Sequence, residues 1–196
     1  MGRICKKYNV VVFADEIYCD FFSPGYTHTP FATVCPEMLE HLIVSTSPSK
    51  GFNIAGLQIS NIFIPGEELR AKFRKTIDIV GYNECNYMGM VACCAAYTEG
   101  EQWLEECKAY IWENVQYIQK FVAEKLPQIH IIEPQGTYLL WMDCSGLGLS
   151  PVQLEDLLLH KANIWPDMGT KFGEKTGQFI RLALACRRSV IVEAMD

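Results

Sequence analysis

The chain has 196 residues, 49% of them hydrophobic, and 17 Lys and Arg against 23 Asp and Glu give it a formal net charge of -6. That is ample apolar material for a packed core in one large domain or two small ones, while mild acidity without any basic run excludes a nucleic-acid-binding surface. Nine scattered cysteines, with no Cys-x-x-Cys pair and only Cys93 and Cys94 adjacent, indicate neither a disulfide framework nor a zinc site and suit a reducing cytosol.

Met1 to Tyr8 reads as the tail of a helix, without the apolar core of a signal peptide. It feeds Asn9 to Ala14, a nearly continuous β-branched run of the kind buried on both faces of a parallel sheet. A loop with proline and glycine and a short helix around Pro36 to Glu40 lead to a second such run, His41 to Thr46. Ile59 to Ile64 reads as a third strand, and Pro65-Gly66-Glu67-Glu68 opens a helix expected to reach about Ile79, because proline and acidic residues favour a helix start. Asn86 to Thr98 and Glu101 to Lys125 read as helices, the second amphipathic and stopped by Pro127.

The pattern then changes. Ile129 to Ile132, Thr137 to Met142 and Phe179 to Ala185 read as strands, Pro151 to Lys161 as a helix, and a last helix begins at Ser189 and still runs at Asp196. The expected fold class is therefore α/β: residues 1–98 form part of a large domain with a mostly parallel sheet and helices, and residues 99–196 a small α+β domain. No apolar stretch reaches the roughly 18 residues of a membrane span, so the protein is read as soluble and cytoplasmic. His28, His41, His130 and His160 stand apart in sequence and are expected at the surface or at edges rather than as metal ligands.

Chemistry concentrates at the ends of the first two strands. Lys50 closes Ser47-Pro48-Ser49-Lys50 directly after Leu42-Ile43-Val44 and its strand, and Asp15 ends the strand before it. Both stand at the carboxyl edge, where open α/β sheets bind ligands. Two hydroxyls can grip a phosphate while the neighbouring amine condenses with a carbonyl, which is what a pyridoxal-phosphate enzyme asks of its protein. A carboxylate such as Asp15 can keep a pyridinium protonated, and a phenol such as Tyr18, three residues on, can stabilise the ring's 3-hydroxyl anion.

Ala14-Asp15-Glu16-Ile17-Tyr18 followed by Ser47-Pro48-Ser49-Lys50-Gly51-Phe52-Asn53-Ile54-Ala55-Gly56-Leu57-Gln58 resembles the fold-type I aminotransferase family (class I and II), and within it the cystathionine β-lyase-like carbon-sulfur lyases. The similarity continues through Gly136 to Asp143 and Phe179 to Leu182 to Ala185-Cys186-Arg187-Arg188-Ser189. The resemblance implies pyridoxal 5'-phosphate as cofactor, Lys50 as the catalytic Schiff-base lysine, Asp15 and Tyr18 as partners of the ring, Ser47 and Ser49 as phosphate ligands, and Arg181 as the residue that takes the substrate α-carboxylate. A planar guanidinium suits that task because it meets a carboxylate bidentately.

It further implies an amino-acid substrate, sulfur-containing in the lyase branch, and a homodimer, with no nucleic acid or membrane as partner. Many transaminases of the family carry arginine where this chain has Gln58, so Gln58 points to a lyase; the lyase branch often has histidine where this chain has Tyr18, which points the other way. Arg187 stands where that branch usually has proline. The expected function is β-elimination giving thiol, pyruvate and ammonia, with aminotransfer by the same residues, or a non-catalytic remnant of the fold, as alternatives. Complete enzymes of this family are about twice as long, so the resemblance also implies a carboxyl-terminal fragment, cut at both ends and leaving a sheet edge and an apolar face uncovered.

Overall fold

A computed structural model describes residues 1–82 and 84–195, and the chain divides into two units: Met1–Phe22 with Thr27–Glu105, and Ser23–Tyr26 with Glu106–Asp196. The division falls within the long helix and not at residue 98, and the second unit recruits a short segment from far upstream.

In the first unit, helix α1 (Gly2–Lys7) leads into strand β1 (Val12–Asp15), helix α2 (Phe31–Val34), strand β2 (Leu42–Thr46), helix α3 (Pro48–Gly51) and strand β3 (Asn61–Phe63). Helices α4 (Glu67–Val80) and α5 (Tyr87–Glu99) follow. Strand β1 starts later than its β-branched run suggests, because Val10 and Val11 lie outside it and are exposed. β1 pairs with β2 in parallel, Val12 opposite Leu42 through Asp15 opposite Ser45. β3 then pairs with β2 antiparallel, Val44 opposite Phe63, so the parallel pair carries an antiparallel neighbour, a direction the sequence pattern left open. A parallel return needs a crossover, usually a helix of its own, and the stretch between β2 and β3 holds only α3 and a single 3-10 turn at Ala55–Leu57. Helix α4 ends where Gly81, at φ 70°, turns left-handed, a conformation that glycine adopts without steric cost.

Helix α6 (Glu101–Lys125) runs from the first unit into the second, where it buries Ile111, Val115, Ile118 and Val122 at helical spacing. The second unit also contains strands β4 (His130–Ile131) and β5 (Leu139–Asp143), helix α7 (Pro151–Asp156), strands β6 (Asp167–Met168) and β7 (Phe179–Ala183), and helix α8 (Arg188–Met195). Its sheet runs in the order β4-β5-β7-β6, antiparallel throughout. Leu140, Met142 and Ile180 of the sheet close a core with Val115, Ile118, Val122, Leu154, Met168, Leu184 and Ile191.

Within that core Asn114 is fully buried, and its side chain is satisfied completely. Its amide donates to the carbonyls of Leu184 at 2.9 Å and Cys186 at 3.0 Å, and its oxygen accepts from Arg188 Nε at 2.7 Å. The segment Ser23–Tyr26 joins this unit through the Ser23 N–H, which donates to the Gln135 carbonyl at 3.0 Å. The expectation that the last helix still runs at Asp196 falls outside the described residues.

Candidate active site

The parallel register of β1 and β2 brings the carboxyl ends of both strands together, with Asp15 opposite Ser45. Asp15 is exposed there, and among the described residues its carboxylate takes no hydrogen bond. β2 runs out into Ser47, whose extended backbone (φ -161°, ψ 143°) and side chain cap α3: Ser47 Oγ accepts from the Ser49 N–H at 3.0 Å, and Pro48 occupies the first helical position. The single turn of α3 thus starts immediately at the strand end and carries Ser49 and Lys50.

Lys50 is half-buried, and its Nζ lies 5.8 Å from the centroid of the Tyr18 ring, in the turn after β1. Among the described residues this amine has no hydrogen bond and no ion pair. A partly desolvated ammonium gains from the face of an aromatic ring, but the pair leaves all three N–H donors uncommitted to any protein acceptor. Gly51 follows with almost no room, since a Cβ there would come within 2.9 Å of Asp20 Oδ2. Lys50 is therefore seated where α3 approaches the turn that carries Tyr18 and Asp20.

The two hydroxyls differ. Ser47 is buried and donates to the Ile59 carbonyl at 2.6 Å while capping α3, so its proton is committed to the fold. Ser49 is half-buried and reaches the same carbonyl at 3.4 Å, a long bond that a stronger acceptor would displace. The Cys19 thiol nearby is pushed up to about 11, first by burial and then by the charges of Asp20 and Glu16, so it stays protonated and is not a nucleophile at neutral pH.

Sequence reasoning missed what holds the turn and loop after β1. Glu16 accepts from His28 Nε2 at 2.9 Å and from the Phe31 N–H at 2.8 Å, with its side chain only 10% exposed. An acidic residue inside the run Ala14 to Ile17 was the available signal. His28 is not merely a surface residue but the partner of that carboxylate.

Arg181 belongs to the second unit, on β7, with Asp167 of β6 as its cross-strand partner. Asp167 Oδ2 accepts from Arg181 Nε at 3.2 Å and Nη2 at 2.7 Å, and Asp167 Oδ1 accepts from Lys171 Nζ at 2.9 Å. Those bonds, Lys171 first and Arg181 second, hold the Asp167 carboxyl below the usual carboxylate range. The guanidinium lies 4.7 Å over the Phe172 ring. Phe172 meets Trp141 edge-on, and Trp141 stacks on Phe179, both at 5.3 Å. Arg181 is also half-exposed, on the wall of a cleft of about 550 Å³ built from the second unit alone, with Asp167, Trp165, Leu184 and Ile191 among its lining. Asp167 too was missed, because nothing in Pro166-Asp167-Met168 announces a strand of two residues.

Among the described residues no group of three or more His, Cys, Asp or Glu could hold a metal ion, and no helix is long and apolar enough to cross a membrane.

Comparison with known proteins places these features in a family. Cystathionine beta-lyase PatB of Bacillus subtilis (strain 168) is 35% identical over 195 residues, covering 100% of this chain and 50% of that protein. Protein MalY of Escherichia coli (strain K12) is 28% identical over 190 residues, covering 96% and 48%. Among solved structures, cystalysin from Treponema denticola, which contains a pyridoxal 5'-phosphate cofactor, superposes with a TM-score of 0.95 at 34% identity, over 99% of this chain and 49% of that one. The pyridoxal-phosphate-bound C-S lyase from Staphylococcus hominis gives 0.87 at 32% identity, over 99% and 50%. The chain spans about half the length of the curated relatives it matches. Its fold, a strand-end lysine in one unit and an antiparallel sheet with α6 in the other, is the corresponding part of the fold of these enzymes. The model of the aminotransferase class I and II family matches residues 1–196 from end to end, and this chain belongs to that family.

Proposed function

We propose that the chain contributes the cofactor-anchoring lysine and the substrate-carboxylate arginine of a pyridoxal-phosphate-dependent carbon-sulfur β-lyase, which cleaves cystathionine or a related cysteine conjugate to thiol, pyruvate and ammonia. One observation carries this reading: the half-buried Lys50 amine at the carboxyl edge of the sheet, 5.8 Å from the Tyr18 ring and without an ionic partner among the described residues. An amine in that position, uncommitted to any protein acceptor, is open to condense with a carbonyl.

The donor set fits the cofactor. Lys50 supplies the amine for its aldehyde, Ser49 a displaceable hydroxyl for its phosphate, and Asp15 an uncommitted carboxylate for its ring nitrogen. Ser47 donates to the phosphate only if its proton leaves the Ile59 carbonyl, so its larger part is to cap α3 and aim Ser49 and Lys50. Pyridoxal phosphate, when bound, supplies an electron sink for negative charge at the substrate Cα. With the cofactor bound, Asp15 would hold a proton on its ring nitrogen and the Tyr18 hydroxyl would donate to its phenolic oxygen. Lys50 Nζ carries the proton taken from the substrate Cα, and Arg181 binds the α-carboxylate. The substrate is a sulfur-containing amino acid, the assembly a homodimer and the location the cytoplasm.

A second reading, aminotransfer by the same residues, is favoured by Tyr18. Incubation of the purified protein with pyridoxal phosphate and cystathionine separates the two. Pyruvate and thiol released without any 2-oxo acid acceptor support the lyase, and strict dependence on an acceptor sinks it. Failure of the protein to take up pyridoxal phosphate in a spectral titration sinks both readings and leaves a non-catalytic member of the fold.

A further inference from the structure

A guanidinium has two forks. The side-on fork is made by Nε–H and Nη2–H, the end-on fork by Nη1–H and the other hydrogen of Nη2, and each matches the two oxygens of a carboxylate. In Arg181 the side-on fork is spent on one oxygen, Asp167 Oδ2, which accepts from Nε and Nη2 together. The end-on fork has no hydrogen-bond partner among the described residues. Phe172 covers one face of the guanidinium at 4.7 Å, and Trp141 backs Phe172. Position along the edge and tilt of the plane are thus both fixed, and Arg181 belongs to the lining of the 550 Å³ cleft.

We infer that Asp167 is a positioning residue for substrate binding: it occupies the side-on fork of Arg181 and so presents the end-on fork, oriented in advance, to the carboxylate of the amino acid. This deepens the proposed role of Arg181 and rests on it. The carboxylate of Asp167 would by itself repel a second carboxylate arriving at the same guanidinium. Lys171, bonded to the other oxygen of Asp167 at 2.9 Å, offsets that repulsion. The sign of a mutational effect therefore separates two roles. If Asp167 acts only through its charge, removing it tightens carboxylate binding. If it acts by holding the arginine, removing it weakens binding, because a guanidinium free to swing loses rotamer entropy again each time it docks.

The test compares the wild-type protein with Asp167→Ala, Asp167→Asn and Arg181→Ala, each loaded with pyridoxal phosphate and titrated with L-alanine and with L-alaninamide, which lacks the carboxylate. Asp167→Ala is expected to weaken L-alanine about tenfold and to leave L-alaninamide unchanged. Asp167→Asn, which keeps an oxygen for Nε–H, should recover most of that loss. A cofactor-free readout accompanies it: the Arg181 Nε–H resonance of the protein alone should be protected from solvent exchange in wild type and unprotected in Asp167→Ala.

Unchanged or tighter L-alanine binding in Asp167→Ala overturns the inference, as does equal Nε–H exchange in the two proteins. If Arg181→Ala weakens L-alanine while Asp167→Ala does not, the inference fails and the role of Arg181 stands. If Arg181→Ala has no effect on L-alanine, both fail.

Discussion

The two units solve the problem of burial differently. The second closes its antiparallel sheet with α6, α7 and α8 around one contiguous core, and even its buried amide, Asn114, has every hydrogen-bonding group matched. The first has a three-stranded sheet that buries Leu42 on β2 but leaves Phe13 on β1 55% exposed and Phe63 on β3 56% exposed. Yet the first unit carries the lysine and the strand-end carboxylate, whereas the second carries the arginine. The lysine proposed to anchor the cofactor sits on the less enclosed scaffold, secured by local hydrogen bonds: the Ser47 cap, the shared Ile59 carbonyl and the Glu16 pair with His28 and Phe31.

The largest effect is expected in the first unit. Lys50→Ala should remove β-elimination activity, with roughly 10²–10⁴-fold lost from proton transfer alone, and should leave no cofactor-sized mass on the protein after borohydride reduction. Retained covalent trapping in that variant would move the anchoring role elsewhere. Next comes the contrast in packing. Leu140→Ala in the closed core should cost about 2–5 kcal/mol, whereas Phe13→Ala should stay within about 0.5 kcal/mol, both read from urea midpoints. Equal losses would mean that the first sheet is buried in solution and would erase the contrast. Asn114→Ala should fall between them at about 1–3 kcal/mol, because it strands two carbonyls and the Arg188 side chain.

Smaller effects separate the neighbouring serines. Ser47→Ala should lower stability by about 1 kcal/mol through loss of the cap, and Ser49→Ala should lower pyridoxal-phosphate affinity with little change in stability. An inverted result would exchange their roles. A further effect, on pH dependence above the ordinary thiol range, is shared by both units. Burial pushes the thiols of Cys19 and Cys144 up to about 11. The folded protein keeps protons there that the unfolded chain releases, so stability is full below the ordinary thiol range and falls as pH rises through it toward about 11. Urea midpoints that hold flat over that interval would show both thiols titrating normally.

Much of this was legible because local signals agreed. Glu101 and Pro127 bracket α6, which spans Glu101–Lys125, and Pro65-Gly66 and Gly81 bracket α4. Strand direction was not legible: β3 carries the same apolar pattern in either sense, and only the connection through α3 decides it. The lysine, serines and aspartate stand at strand ends because short motifs encode strand ends. The Asp167 clamp on Arg181 and the Glu16 pair with His28 join residues 14 and 12 apart across folded elements, and neither partner carries a local pattern of its own.

The second unit is not one stretch of chain, since Ser23–Tyr26 belongs to it and Ser23 donates to Gln135. Dissection by sequence would therefore cut the molecule in the wrong place. A piece expressed from Glu106 onward would lose four residues native to its own structure and leave the Gln135 carbonyl to water. Keeping those four residues with the carboxyl-terminal piece requires the connectivity to be rewritten, by grafting Ser23–Tyr26 onto it through a new linker.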